Sequence, residues 1–177
     1  LVCSACVDSR VLHLSLLRQR QMGLRDRAWI DLHTGLGPSG VGERIWAGGH
    51  DDAAIARARR WWGDQVTSIY DGSSTSALLT GLMWGAIHDA APQAEYTGIA
   101  LEYGTEPIME VLDALRGDQW LAQHPEAPPE LAASIKSRLL KAFYTDTDAW
   151  KGQVVSQARQ AMFQAVDGLR ADSASAP

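Results

Sequence analysis

Apolar residues recur along most of the chain at helical spacing, and in a few short stretches at the density of strands. Val7, Val11, Leu14 and Leu17 stand three and four apart before Gly23, which predicts an amphipathic helix over 7–22. The stretch 28–34 (Ala-Trp-Ile-Asp-Leu-His-Thr) is short and rich in strand formers, and the glycine-rich run 35–40 cuts it off. It reads as a buried strand ending in a glycine loop. Residues 43–47 suggest a second short strand. Asp51 or Asp52 then caps a helix whose Ile55, Ala58, Arg59 and Trp62 share a face before Gly63 ends it.

Residues 66–70 read as an extended piece, and 71–76 (Asp-Gly-Ser-Ser-Thr-Ser) as a loop with a helix cap. Leu78, Leu79, Leu82, Met83, Ala86 and Ile87 cover most of a helix surface, which predicts a buried helix. Tyr96 to Tyr103 is the second clear strand. Thr105 follows as an acceptor for backbone N–H groups, and Pro107 suits the first turn of a helix striped by Ile108, Val111, Leu112 and Leu115. Two more helices carry Leu131, Ile135, Leu139 and Phe143, and then Trp150, Val154, Ala158, Met162, Val166 and Leu169, all read as core. Strands alternating with helices predict an α/β fold of three α-β-α layers around a mostly parallel sheet. One domain is expected over 1–170, with the small polar residues 171–177 as a flexible tail.

Composition narrows the partners more than the fold. The 177 residues are 46% hydrophobic and 21% charged, as in ordinary globular domains, with a formal net charge of −5. An acidic balance without a run of Lys or Arg lacks the electrostatic footprint of nucleic-acid binding and polybasic membrane docking. No stretch approaches the roughly 18 apolar residues of a membrane helix. A soluble, cytoplasmic protein without nucleic-acid or membrane partners is expected. Cys3 and Cys6 form a lone C-x-x-C, short of the four ligands of a closed structural zinc site, and read as small side chains near the terminus.

Three positions invite chemistry. The run 35–40 matches G-x-G-x-x-G after a strand, but no helix opens behind it to receive a pyrophosphate, so nucleotide binding is disfavoured. Asp31 and His33 share one strand face, which suits either a metal site or a histidine satisfied by a hydrogen bond at the strand end. Glu102 closes the apolar strand Ile99-Ala100-Leu101, where a carboxylate must be paired, hydrogen-bonded, protonated or beside a metal. It is either a general base or a salt-bridge partner of Arg44 or another arginine.

These residues carry a resemblance. The block 29–43, with Asp31, His33 and Gly35-Leu36-Gly37-Pro38-Ser39-Gly40, resembles the domain of unknown function 2817 family, a branch of the zinc carboxypeptidase superfamily. Residues 70–76 and 100–105 are similar to its later blocks, in the same order. The resemblance implies a zinc-carboxypeptidase-like (phosphorylase/hydrolase-like) fold and hydrolysis of an amide beside a free carboxylate, as in metallocarboxypeptidases and N-acyl amino acid deacylases. It implies that His33 matches the third zinc ligand and Glu102 the catalytic glutamate, with Asp31 supporting and a small peptide or N-acyl amino acid as substrate. A substrate carboxylate needs a cationic clamp, for which Arg44 is the nearest candidate in sequence, set against a solvated arginine on an edge strand.

The sequence departs from that pattern, lacking the upstream His-x-x-Glu and the substrate-clamping Arg of the superfamily. His13, His50, His88 and His124 are not followed by Glu at the third position, so the His-x-x-Glu supplying the first two zinc ligands is missing. One imidazole does not hold zinc where three protein ligands are the norm. The chain is therefore expected to be the C-terminal part of such a fold, with zinc weak or absent, its own activity in doubt, and an exposed sheet edge prone to self-association. The alternative is a non-catalytic remnant or binding domain that keeps the pocket without the metal.

Overall fold

The structure is a computed structural model that describes residues 26–90, 92 and 94–175. The helix expected over 7–22, Cys3 and Cys6 lie outside the described residues. The elements are β1 (Asp26–Ser39), β2 (Gly42–Trp46), α1 (Asp52–Trp62), α2 (Gly85–Ala90), β3 (Glu95–Gly104), α3 (Ile108–Gln123), α4 (Pro129–Phe143) and α5 (Asp148–Ser175).

The three strands form one sheet in the order β1-β3-β2, in which β1 runs parallel to β3 and β2 antiparallel to it. This corrects the expectation of a mostly parallel sheet in a three-layer sandwich. The reason is the link between β1 and β2. A parallel neighbour needs a crossover of a dozen or more residues, and only Gly40 and Val41 separate these strands, so the chain reverses. β3 lies between them because the glycine run arches over its end. The ladder jumps from Thr34↔Tyr103 to Ser39↔Gly104, and Gly40 N–H donates to Gly104 O at 3.0 Å. A Cβ on Gly104 would collide with the backbone carbonyls of Gly37 and Pro38. The glycines thus serve a backbone crossing rather than a phosphate.

β3 is buried along almost its whole length, which explains its unbroken apolar run. Ile99 and Leu101 are fully buried, each contributing about 1.5–3 kcal/mol by apolar burial. α1 and α5 cover the face of β3 that carries Thr97 and Tyr103. Arg57 Nε donates to Thr97 Oγ1 at 2.6 Å, and the Tyr103 hydroxyl donates to Val154 O at 3.1 Å. Asp51 caps α1 by accepting from Ala53 and Ala54, and Gly63 ends it, as the sequence predicts.

Elsewhere the packing departs from the predicted stripes. Only Gly85–Ala90 is helical in the stretch expected as a buried helix. Leu78, Leu79 and Met83 are exposed, and Gly81 at φ 74 interrupts the helical run. On α5 the buried positions are Trp150, Ala161, Ala165 and Gly168, whereas Met162 and Val166 face outward. Steps of four drift about 40° each round a helix, and a step of three must correct them. Small residues occupy the buried side because Trp61 and Trp62 fill it: Trp62 Nε1 donates to Ala161 O at 2.9 Å, and a Cβ on Gly168 would meet the Trp61 ring. α5 also continues beyond Arg170, where Asp172 accepts from Trp61 Nε1 at 3.0 Å. Thr105 does not cap α3. Its hydroxyl donates to Ala142 O at 2.5 Å, while Thr34 donates to Phe143 O at 2.7 Å. Two threonines, one on β1 and one just past β3, thereby satisfy carbonyls that the end of α4 leaves open.

The crossing at Gly104 yields a direct expectation. Gly104→Ala should lower unfolding stability by about 1–3 kcal/mol, since backbone cannot yield as a side chain does. Gly49→Ala, with open space around its Cβ, should come within about 0.5 kcal/mol of the parent protein in urea denaturation.

Candidate functional site

Strand register builds the site. His33 is matched across the ladder with Glu102, and Glu102 is matched on its other side with Glu43. Matched residues on neighbouring strands project to one face, about 5 Å apart. His33, Glu102 and Glu43 therefore form a row of ionisable side chains across all three strands. Asp31 joins it two residues before His33.

His33 is held from one side and open on the other. Its Nε2 lies 2.9 Å from Asp31 Oδ2, its Nδ1 lies 3.9 Å from Glu102 Oε2, and 49% of the side chain remains exposed. The hydrogen bond with Asp31 raises the His33 pKa above its ordinary value. Burial opposes that rise, and the charges of Asp31 and Glu102 assist it.

Glu102 is buried, and burial raises its pKa because a low-dielectric setting disfavours the charged form. The N–H of Leu36 donates to Glu102 Oε1 at 3.0 Å and partly offsets this, as does the nearby imidazole. The charges of Glu43 and Asp31 push the same way as burial. The glycine run delivers the Leu36 N–H. Gly35, at φ 136, packs so closely on Phe143 that a Cβ there would lie 2.8 Å from the ring. One oxygen of Glu102 is thus fixed by backbone, and the other faces His33.

Glu43 has the opposite setting. Burial again works to raise its pKa, but hydrogen bonds from Thr67, Thr75 and Ser74 outweigh it and hold the carboxyl below its ordinary value. Two glutamates on one sheet face are therefore tuned in opposite directions. Sequence reasoning did not single out Glu43 as a site residue. Its period-two placement opposite the Glu102 strand was the available signal, but that signal needs the antiparallel pairing of β2 to be seen.

The structure brings Asp31, His33 and Glu102 together and leaves Arg44 apart. Arg44 is one residue from Glu43 and so points to the opposite face, where Nη1 donates to Trp62 O at 2.8 Å and Nη2 to Gln160 Oε1 at 3.4 Å. It is neither the salt-bridge partner of Glu102 nor a free cation beside His33. Among the described residues, no group of three or more His, Cys, Asp and Glu side chains is arranged to hold a metal ion. His33 Nε2 is occupied by Asp31. The described donor set therefore does not fit the zinc that the resemblance implies. Among the described residues, no helix is long and apolar enough to cross a membrane.

A family model described as a protein of unknown function (DUF2817) matches residues 6–157. No curated protein and no solved structure shows a match to the chain. The three sequence blocks of the resemblance converge in space: Glu43 ends the first, Thr75 of the second donates to it, and Glu102 of the third is its register partner.

The causes of the His33 shift rank its partners. Asp31→Asn should lower the His33 pKa more than Glu102→Gln does, as read from the ring proton resonances in an NMR titration. A raised histidine pKa stabilises the folded state fully below the unfolded value near 6.5, and that stability is lost as pH rises through the folded value. Glu102 has the same sign, because its raised pKa makes ionisation cost stability. Glu102→Gln, which keeps an acceptor for Leu36, should therefore weaken the loss of stability on going from mildly acid to neutral pH.

Proposed function

The chain belongs to the DUF2817 family, and from that premise we propose that its His33–Glu102 pair is the acid–base centre of an amide hydrolase acting on small peptides or N-acyl amino acids. The observation that carries the reading is the pairing itself: a buried carboxylate of raised pKa with one oxygen fixed by Leu36 N–H, and the other 3.9 Å from a half-exposed imidazole. A carboxylate whose pKa moves toward neutrality is a better proton carrier at neutral pH. Glu102 takes a proton from water as the water oxygen bonds to the amide carbon. It returns that proton to the nitrogen as the C–N bond breaks, releasing an acid and an amine. His33, its protonated form favoured by Asp31, offers positive charge in that form to the carbonyl oxygen as it becomes an oxyanion. No step runs through a metal, because the described donors do not make a zinc site.

One observation favours a second reading. Both ring nitrogens of His33 are engaged within the cluster, Nε2 by Asp31 and Nδ1 facing Glu102. That suits a binding domain which keeps the ionisable row for recognition without turnover.

The test uses the full natural gene product, incubated with N-acetyl amino acids and dipeptides, with amine release followed by mass spectrometry. Hydrolysis should fall by about 100-fold or more in Glu102→Gln, the scale of losing a general base. Turnover that survives in Glu102→Gln removes Glu102 from the chemistry. Binding of these compounds without any turnover favours the second reading.

A further inference from the structure

The carboxylate of Glu43 is occupied by groups from outside its own strand. Thr67 Oγ1 donates to Oε1 at 2.6 Å, the N–H of Thr75 donates to Oε1 at 3.1 Å, and the Thr75 hydroxyl donates to Oε2. Held ionised and filled with donors, Glu43 is a poor proton acceptor but a strong anchor. What it anchors is the turn 71–76. That turn is ordered internally by Asp71, whose Oδ1 accepts from Ser73 N–H at 2.9 Å and from the Ser73 hydroxyl at 2.5 Å. Its further tethers are Ser68, whose N–H donates to Ser73 Oγ at 2.9 Å and whose carbonyl accepts from Ser74 N–H at 3.3 Å, and Arg59, whose Nη2 donates to Asp71 Oδ2 at 3.5 Å. Glu43 and Glu102 are register partners on one face, so the turn is fastened one strand away from the proton-carrying carboxylate.

We infer that Glu43 and Thr75 are positioning residues: they latch the turn 71–76 as the wall that shields Glu102 on the β2 side, opposite the opening at His33. The physical need is plain. Glu102 is buried although it sits in a row that ends in a half-exposed imidazole, so something must exclude water from its β2 flank. β2 itself ends in an irregular edge where Thr67 makes only an isolated bridge to Ile45, and the turn follows directly from that edge. The purpose of the latch rests on the hydrolytic reading, but its existence is tested without activity.

Thr75 is exposed, and Thr75→Val keeps its shape while removing the hydroxyl, so the variant should fold. The full chain is treated with a water-soluble carbodiimide and glycine ethyl ester, and labelling of Glu102 is mapped by mass spectrometry alongside amide exchange of 73–76. Thr75→Val should speed exchange in the turn by about 10-fold, as for a locally opened segment, and Glu102 labelling by about 5-fold. Glu43→Gln should act in the same direction, Thr75→Ser should restore both rates, and labelling of exposed Asp52 on α1 should stay constant. Faster exchange with unchanged Glu102 labelling would overturn the inference by showing that the turn is not a wall. Unchanged exchange would overturn it by showing that Glu43 does not hold the turn. If the natural protein hydrolyses no amide, the hydrolytic reading falls, and the labelling result decides the latch on its own.

Discussion

A carboxylate buried on the central strand of a sheet must find its partners on the strands beside it, and Glu102 imposes that condition on the rest of this protein. The parallel neighbour supplies His33 and, through the glycine run beyond it, the N–H of Leu36. The antiparallel neighbour supplies Glu43, whose own charge is absorbed by Thr67 and Thr75. An unpaired ionised group in such a place would cost several kcal/mol. The short reversal between β1 and β2 is what allows both neighbours to flank one strand. Gly104 marks where the chain passes over the end of β3, and the same arch aims Leu36 at Glu102.

The contrast between the two glutamates follows from how many donors each one meets. Glu43 receives hydroxyls and an N–H and stays ionised. Glu102 receives one N–H and a more distant imidazole and is left with burial as the dominant influence. Each neighbouring charge then reinforces the split, since an ionised Glu43 makes ionisation of Glu102 harder. Asp31 plays the corresponding part for His33, favouring the charged imidazole and orienting it while half of the ring stays open to solvent. The outcome is one anchored carboxylate, one buried carboxylate of raised pKa and one half-exposed imidazole along a single sheet face.

Much of this is written locally in the sequence. The two strands that carry His33 and Glu102, the Asp51 cap and the Gly63 stop follow from period, composition and turn chemistry. What escaped depends on contacts between distant parts of the chain. The direction of β2 is set by the length of a link whose glycines also suit a phosphate loop, so parallel pairing looked equally natural. Arg44 sits close to His33 in sequence, but strand alternation sends it to α1 and α5. The buried side of α5 departs from its apolar stripe because alanines and a glycine, not the larger Met162 and Val166, face the Trp61–Trp62 pair. Thr105 looks like a helix cap until the open carbonyl of Ala142 is seen beside it.

The central claim is that neighbouring strands tune two glutamates on one face in opposite directions, Glu102 upward and Glu43 downward. The most direct test is a carbon-detected NMR titration of the side-chain carboxyls, assigned through Glu43→Gln and Glu102→Gln. The account predicts a Glu102 midpoint above the ordinary glutamate value and a Glu43 midpoint below it. Glu102 titrating at or below the ordinary value, or the two midpoints in reverse order, would contradict it.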